Sequence, residues 1–318
     1  MNQTSKETDI RIGTRGSRLA MFQAEWVKRK IEEKSPNVHV DLVTIKTTAD
    51  RILDKPLYQI GGKGLFLKEI EEALMAGKID IAVHSMKDVP SELAEAFELV
   101  AITEREDPRD ALITTGRLSS FQELPNGAIV ATGSLRRSSQ LLYARPDIKI
   151  VPMRGNLDTR LKKLKSENIN ALVLAMAGVR RMGYENIHVL PLDPDICLPA
   201  GGQGSFGIEI RRDDEKARNL TKHLNDLDAS TCIRAERACL RMLGAECYTS
   251  MAAFAEIRDS KVYLRGSVAD LTGKTVIKDA LAGNMDNPEE TGSELAHRLL
   301  SNGAERIIEE IKRKFGTH

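Results

Sequence analysis

An α/β chain in three parts is what this sequence predicts, and three observations predict it. Short apolar strands alternate with helical segments from Ile10 onward. The same order restarts near Asp110. From about Lys222 it changes to a helix followed by a run of strands. Alternating strands and helices argue for largely parallel sheets covered by helices. At 318 residues the chain also exceeds one ordinary core, so two or three domains are expected.

In chain order, Ile10–Thr14 reads as a strand, and Ser17 caps a long helix running to Glu33. Val38–Lys46 alternates as a strand. Arg51–Lys63 is turn-rich and ends in Gly61-Gly62-Lys63-Gly64, after which Glu69–Ala76 is helical and Ile79–His84 is a buried strand. The second round reads as strands at Ala111–Ile113, Ala128–Ala131, Lys149–Pro152 and Ala171–Leu174, with helices at Ser138–Tyr143 and Leu157–Lys165. Pro199–Gly204 is a return linker into a strand over Gly207–Arg211. The last part reads as a helix over Ala229–Leu243 and strands at Ala252–Ile257, Lys261–Ala269 and Lys274–Ala280. A single final helix runs from about Glu294 to Lys314.

Lys and Arg total 47 against 46 Asp and Glu, which excludes a broad basic footprint for nucleic acid, and a 4% aromatic share excludes base-stacking platforms. The start of the chain, Met1–Asp9, is polar and carries no apolar core of a signal peptide. No run of about 18 apolar residues suggests a membrane span. A cytoplasmic protein is expected. Of the four cysteines, none forms a Cys-x-x-Cys pair and no histidine cluster lies near them, which argues against zinc. Cys232 and Cys239 lie seven residues apart, two helical turns, and read as core residues; Cys247 follows Gly244 in a polar loop.

Against this neutral background Arg15, Arg136, Arg137, Arg154, Arg160 and Arg181 stand at the ends of expected strands or turns. A guanidinium matches carboxylate or phosphate oxygens in pairs, so the set points to a polyanionic ligand. For any one arginine, a surface salt bridge is the ordinary alternative. His84-Ser85-Met86-Lys87-Asp88-Val89-Pro90 follows a buried strand, where open α/β sheets bind ligands, and Pro90 biases it toward a loop. There Asp88 suits a cation and Lys87 an anion. Gly61–Gly64 lacks the Walker spacing and instead fits a lid bearing Lys63 and Phe66. Gln203, between glycines, serves either ligand contact or a hinge.

Together these segments resemble the hydroxymethylbilane synthase (porphobilinogen deaminase) family from Arg11 to about Ile311. The resemblance rests on Arg11-Ile-Gly-Thr-Arg15 with Ser17-Arg-Leu-Ala20 and Gln23, on Gly61–Phe66, and on His84–Pro90. It continues through Ser134–Arg137, Arg154-Gly155-Asn156 with Thr159-Arg160, Ala177-Gly178 with Arg181, Gln203-Gly204, and Glu236-Arg237 ahead of Cys247. It implies two periplasmic-binding-protein-like (type II) α/β domains joined by two crossing segments, plus a smaller α+β domain. The expected divisions are 1–104 with 205–222, then 105–204, then 223–318.

The resemblance further implies a dipyrromethane cofactor, thioether-linked to Cys247 and held by Lys87, Asp88, Ser134, Arg136, Arg137, Arg154 and Gly155. Porphobilinogen, whose ring bears an acetate and a propionate, would meet Arg15, Ser17, Lys63, Phe66, Arg154, Arg160, Arg181 and Gln203. Asp88 is the implied catalytic residue, facing the pyrrole nitrogens and stabilising the cation formed on deamination. Four porphobilinogens would be joined head to tail with loss of ammonia, and hydrolysis would release the product. A monomer is implied. The chain departs from the family pattern at Ala245 and Glu246, where two glycines are usual, at Ser250, where proline is usual, and at Ala131-Thr132-Gly133 in place of Gly-Thr-Ser. Two competing readings are a two-domain anion receptor or effector module without chemistry, and a degenerate family member altered around Cys247.

Overall fold

The computed structural model describes residues 8–48, 67–184, 187–245 and 249–315. Their contacts form two compact units. The first runs to Arg105 and resumes at Ser205–Ser230; the second takes Glu106–Gly204 and the chain from Thr231.

In the first unit, strands β1 (Thr8–Arg15), β2 (Val38–Ile45), β3 (Ile81–Ser85), β4 (Phe97–Ile102) and β10 (Phe206–Arg211) form one sheet in the order β2-β1-β3-β10-β4. Helix α1 (Arg18–Lys34) is capped by the Ser17 hydroxyl, which accepts from the Ala20 N–H at 3.3 Å. It buries Ala24, Val27 and Ile31 against Ile10, Ile12 and Val40 of the sheet. Helix α2 (Lys68–Met75) covers the other face, packing Ile70 and Leu74 beside Ile79 and Ala82.

The second unit repeats the plan. Strands β5 (Asp110–Thr114), β6 (Ile129–Ala131), β7 (Lys149–Val151), β8 (Ala171–Ala175) and β9 (His188–Pro191) are ordered β7-β6-β8-β5-β9. Its helices are α3 (Leu135–Ala144), α4 (Leu157–Ser166) and α5 (Met176–Met182). In both sheets the fourth position is antiparallel: β10 to β3 and β4, and β5 to β8 and β9. The other four strands of each sheet run the same way, so the sheets are largely parallel, as expected, with one reversed strand apiece. β5 and β10 each enter directly after a segment that crosses from the other unit. No preceding helix in the same sheet turns them back into the parallel direction.

The same unit holds an antiparallel meander, β11 (Met251–Arg258), β12 (Lys261–Ala269) and β13 (Val276–Asn284). Against it pack α7 (Leu227–Met242), α8 (Pro288–Leu299) and α9 (Glu305–Phe315), while α6 (Glu215–Thr221) belongs to the first unit. Cys232 and Cys239 are buried here among Ala253, Leu264, Leu295 and Leu299. The single final helix expected over 294–314 is two, separated at Leu300–Ala304, where Gly303 takes φ 100°. An L-residue cannot adopt that conformation cheaply, and the helix breaks there.

Candidate active site

At the carboxyl end of β3 in the first unit the chain makes a single 3-10 turn, Met86–Asp88, where the sequence suggested a loop. Met86 is buried and its N–H donates to the Ser205 carbonyl at 3.0 Å, which anchors the turn. Val89 is extended, as a residue before proline prefers. Asp88 is left exposed and Lys87 half-buried. Ser85 accepts from the Gln23 amide of α1 at 2.8 Å, fixing β3 to that helix. Arg15, Ser17, Gln23, His84, Ser85 and Asp88 then line one pocket. The structure thus gathers Arg15, Ser17 and Asp88, taken from two distant stretches of sequence.

In the second unit Arg136 and Arg137 are not on a turn or a surface edge. α3 starts at Leu135, capped by the Ser134 hydroxyl, which accepts from the Arg137 N–H at 3.4 Å, and both arginines are 6% exposed. They meet Asp110, the first residue of β5, at 2.8 Å from Arg136 and 2.7 Å from Arg137. Arg137 also donates to the Val173 carbonyl at 3.2 Å, and Gln203 donates to Asp110 at 2.9 Å and to the Pro108 carbonyl at 2.7 Å. Burial alone would raise the Asp110 pKa. The two guanidinium charges and the hydrogen bonds from Arg137 and Gln203 outweigh it and hold the carboxyl well below the usual range. Cys197 donates to the same carboxylate at 3.3 Å, and burial, then the Asp110 charge, pushes its thiol up to about 12.

Of the remaining candidates, Arg160 and Arg181 stand on helices α4 and α5 rather than at strand ends. Arg160 donates to the Gly155 carbonyl at 2.8 Å, and Gly155, at φ +114°, leads into the Asn156 cap of α4. A methyl at Gly155 would lie 2.9 Å from the Thr159 side chain, so both conformation and space demand glycine. Arg154 beside it is half-buried. Arg181 donates to the Gly204 carbonyl at 2.6 Å, and burial lowers its pKa to about 10. Lys63, Phe66 and Cys247 lie outside the described residues.

Two guanidiniums around one buried carboxylate leave a positive excess, and a bound anion would balance it. Sequence reasoning missed Asp110, although an acid opening the apolar run Ala111-Leu112-Ile113 was the available signal. It also passed over Glu209, an acid inside the apolar run Ile208–Ile210, which accepts from or donates to His84 Nε2 at 2.7 Å.

The dipyromethane cofactor binding domain of porphobilinogen deaminase matches residues 10–219, and the porphobilinogen deaminase C-terminal domain matches residues 230–301. The porphobilinogen deaminase of Pelobacter propionicus is 49% identical over 302 residues, covering 95% of this chain and 97% of that protein. That of Geobacter sulfurreducens is 46% identical, covering 95% of this chain and 94% of its own. With both domains matched in order and near-half identity along almost its whole length, this chain belongs to the porphobilinogen deaminase family.

Proposed function

We propose that this chain is a hydroxymethylbilane synthase, a transferase of tetrapyrrole synthesis that joins four porphobilinogen molecules head to tail with release of ammonia and then frees the product by hydrolysis. The observation that carries the reading is the first unit's pocket, whose lining brings the exposed Asp88 together with Arg15 and Ser17.

Arg15 and Ser17 suit the acetate and propionate of a pyrrole, by paired guanidinium hydrogen bonds and a hydroxyl donor. Asp88 faces the charge that deamination creates. A pyrrole losing its amine becomes cationic, and a carboxylate already fixed at that place lowers the barrier without reorganising at the moment of reaction. In the second unit, the positive excess of Arg136 and Arg137 over Asp110 and the half-buried Arg154 fit a ligand bearing several carboxylates. These residues, with Ser134, Gly155, Lys87 and Asp88, would hold the dipyrromethane cofactor, attached at Cys247. That group supplies a permanent starting pyrrole, so that elongation begins from an anchored end. Arg160, Arg181, Gln203, Lys63 and Phe66 complete the proposed substrate contacts. Arg181, partly stripped of water, gains from a carboxylate partner. A cytoplasmic monomer with no nucleic-acid or membrane partner is part of the same reading; among the described residues no helix is long and apolar enough to cross a membrane.

The test is porphobilinogen consumption with ammonia release, paired with intact-protein mass spectrometry. Turnover, with added mass that disappears in Cys247→Ala, supports the reading. Reversible binding without turnover would instead make the protein a receptor.

A further inference from the structure

Behind the pocket lies a buried set of titratable groups to which the reaction as described gives no task. His84 reaches away from α1 and meets Glu209 of β10, Nε2 to Oε2 at 2.7 Å, with the two side chains only 4% and 0% exposed. The other oxygen, Glu209 Oε1, is buried without a hydrogen-bond partner of ordinary geometry. On α2, the half-buried Glu71 is coupled to this pair. Burial first, and the Glu209 charge second, raise its carboxyl pKa. A buried carboxylate oxygen without a partner gains from receiving a proton, and Glu71, whose carboxyl tends to hold one, interacts with that same carboxylate. His84 also lines the pocket that contains Asp88.

Each condensation has a proton to dispose of. The amine of the incoming porphobilinogen, arriving protonated, leaves as ammonia with the C–N electron pair. A C–C bond forms from its methylene carbon to the free α-carbon of the acceptor pyrrole. That carbon then loses its hydrogen as a proton, and the C–H pair restores the ring. Asp88 cannot take this proton without losing the charge that stabilises the cation. Resting on the reading above, we propose that His84 is the proton acceptor of the condensation, held in one tautomer by Glu209, with Glu71 as the outlet to solvent. Nδ1 takes the proton from carbon, Nε2 gives its own to Glu209, and Glu209 shares it with Glu71, which returns it to water.

The test uses the cofactor-loaded enzyme with porphobilinogen deuterated at its free α-carbon, and ¹⁵N-histidine NMR of the protein without cofactor. His84→Ala should slow turnover about 100-fold or more. It should also show a primary isotope effect absent from the unaltered enzyme and recover with added imidazole. Glu209→Gln, which keeps the shape and removes the charge, should show a smaller loss with cofactor mass unchanged, and His84→Gln serves if the alanine variant does not fold. Without cofactor, His84 should carry its proton on Nε2 in slow exchange, faster in Glu209→Gln. Full activity in the His84 variants, a loss with neither isotope effect nor imidazole rescue, or a resting proton on Nδ1 alone would each overturn the proposal. Should the unaltered enzyme consume no porphobilinogen, the functional reading falls and takes this one with it; failure in the variants alone removes only His84.

Discussion

Asp110 shows what single residues contribute that sequence alone conceals. The arginines of the Ser134–Arg137 segment were legible as a mark of anionic chemistry, because guanidiniums concentrated in a nearly neutral chain need partners. Their first partner was not legible, since Asp110 lies 27 residues before Arg137 and only the fold brings them to 2.7 Å. Removing the charge of Asp110 strands two buried cations. Asp110→Asn should therefore cost about 3–5 kcal/mol in urea unfolding, and a loss below about 1 kcal/mol would show that solvent reaches the cluster. Asp88 is the opposite case. It is exposed, so Asp88→Ala should leave the melting temperature unchanged while turnover of porphobilinogen falls by a factor of about 10²–10³. Near-normal turnover would remove it from the mechanism.

At the scale of elements, the strand–helix alternation was readable because the strands are short apolar runs and helices α1, α3 and α4 open on side-chain caps, Ser17, Ser134 and Asn156. Strand direction was not, since neither β5 nor β10 differs in composition from a parallel strand. The seven-residue α5 was missed because it continues from β8 without a break and without a side-chain cap. Nor did the sequence show how the elements of the second unit are tied together. Glu236 of α7, fully buried, accepts from the Gly202 N–H at 2.7 Å and the Ala255 N–H at 2.8 Å, joining the segment before β10 to strand β11. Glu236→Ala orphans both donors, at roughly 1–3 kcal/mol each, so a loss of about 2–6 kcal/mol is expected in chemical denaturation. Gly303→Ala, which meets no neighbour within 4 Å, should cost about 1 kcal/mol or slightly more through its positive φ alone.

Across the whole molecule the charge pairs are distributed so that both units share one response to acid. Asp80 in the first unit, and Asp107, Asp110, Asp270 and Glu289 in the second, all have lowered pKa values. In each, burial opposes ionisation, and arginine partners or, for Asp270, the Thr272 hydroxyl and backbone N–H groups prevail. A carboxyl whose folded pKa lies below its unfolded value, about 3.9 for Asp, contributes stability that is complete above that value and is lost as pH falls toward the folded one. Glu71 runs the other way. Its raised pKa contributes stability only at low pH and loses it as pH rises through the folded value, but it is one group against seven, since Glu106 and Asp147 are lowered as well. The melting temperature should therefore be nearly flat from about pH 7 to pH 5 and fall steeply below about pH 4. Asp110→Asn, less stable throughout, should show a shallower fall, because it has one fewer depressed carboxylate to protonate. Thermal unfolding followed by circular dichroism across this range checks the sign directly. A melting temperature at pH 3 equal to that at pH 7 would mean that these pairs do not carry the stability their burial and partners imply.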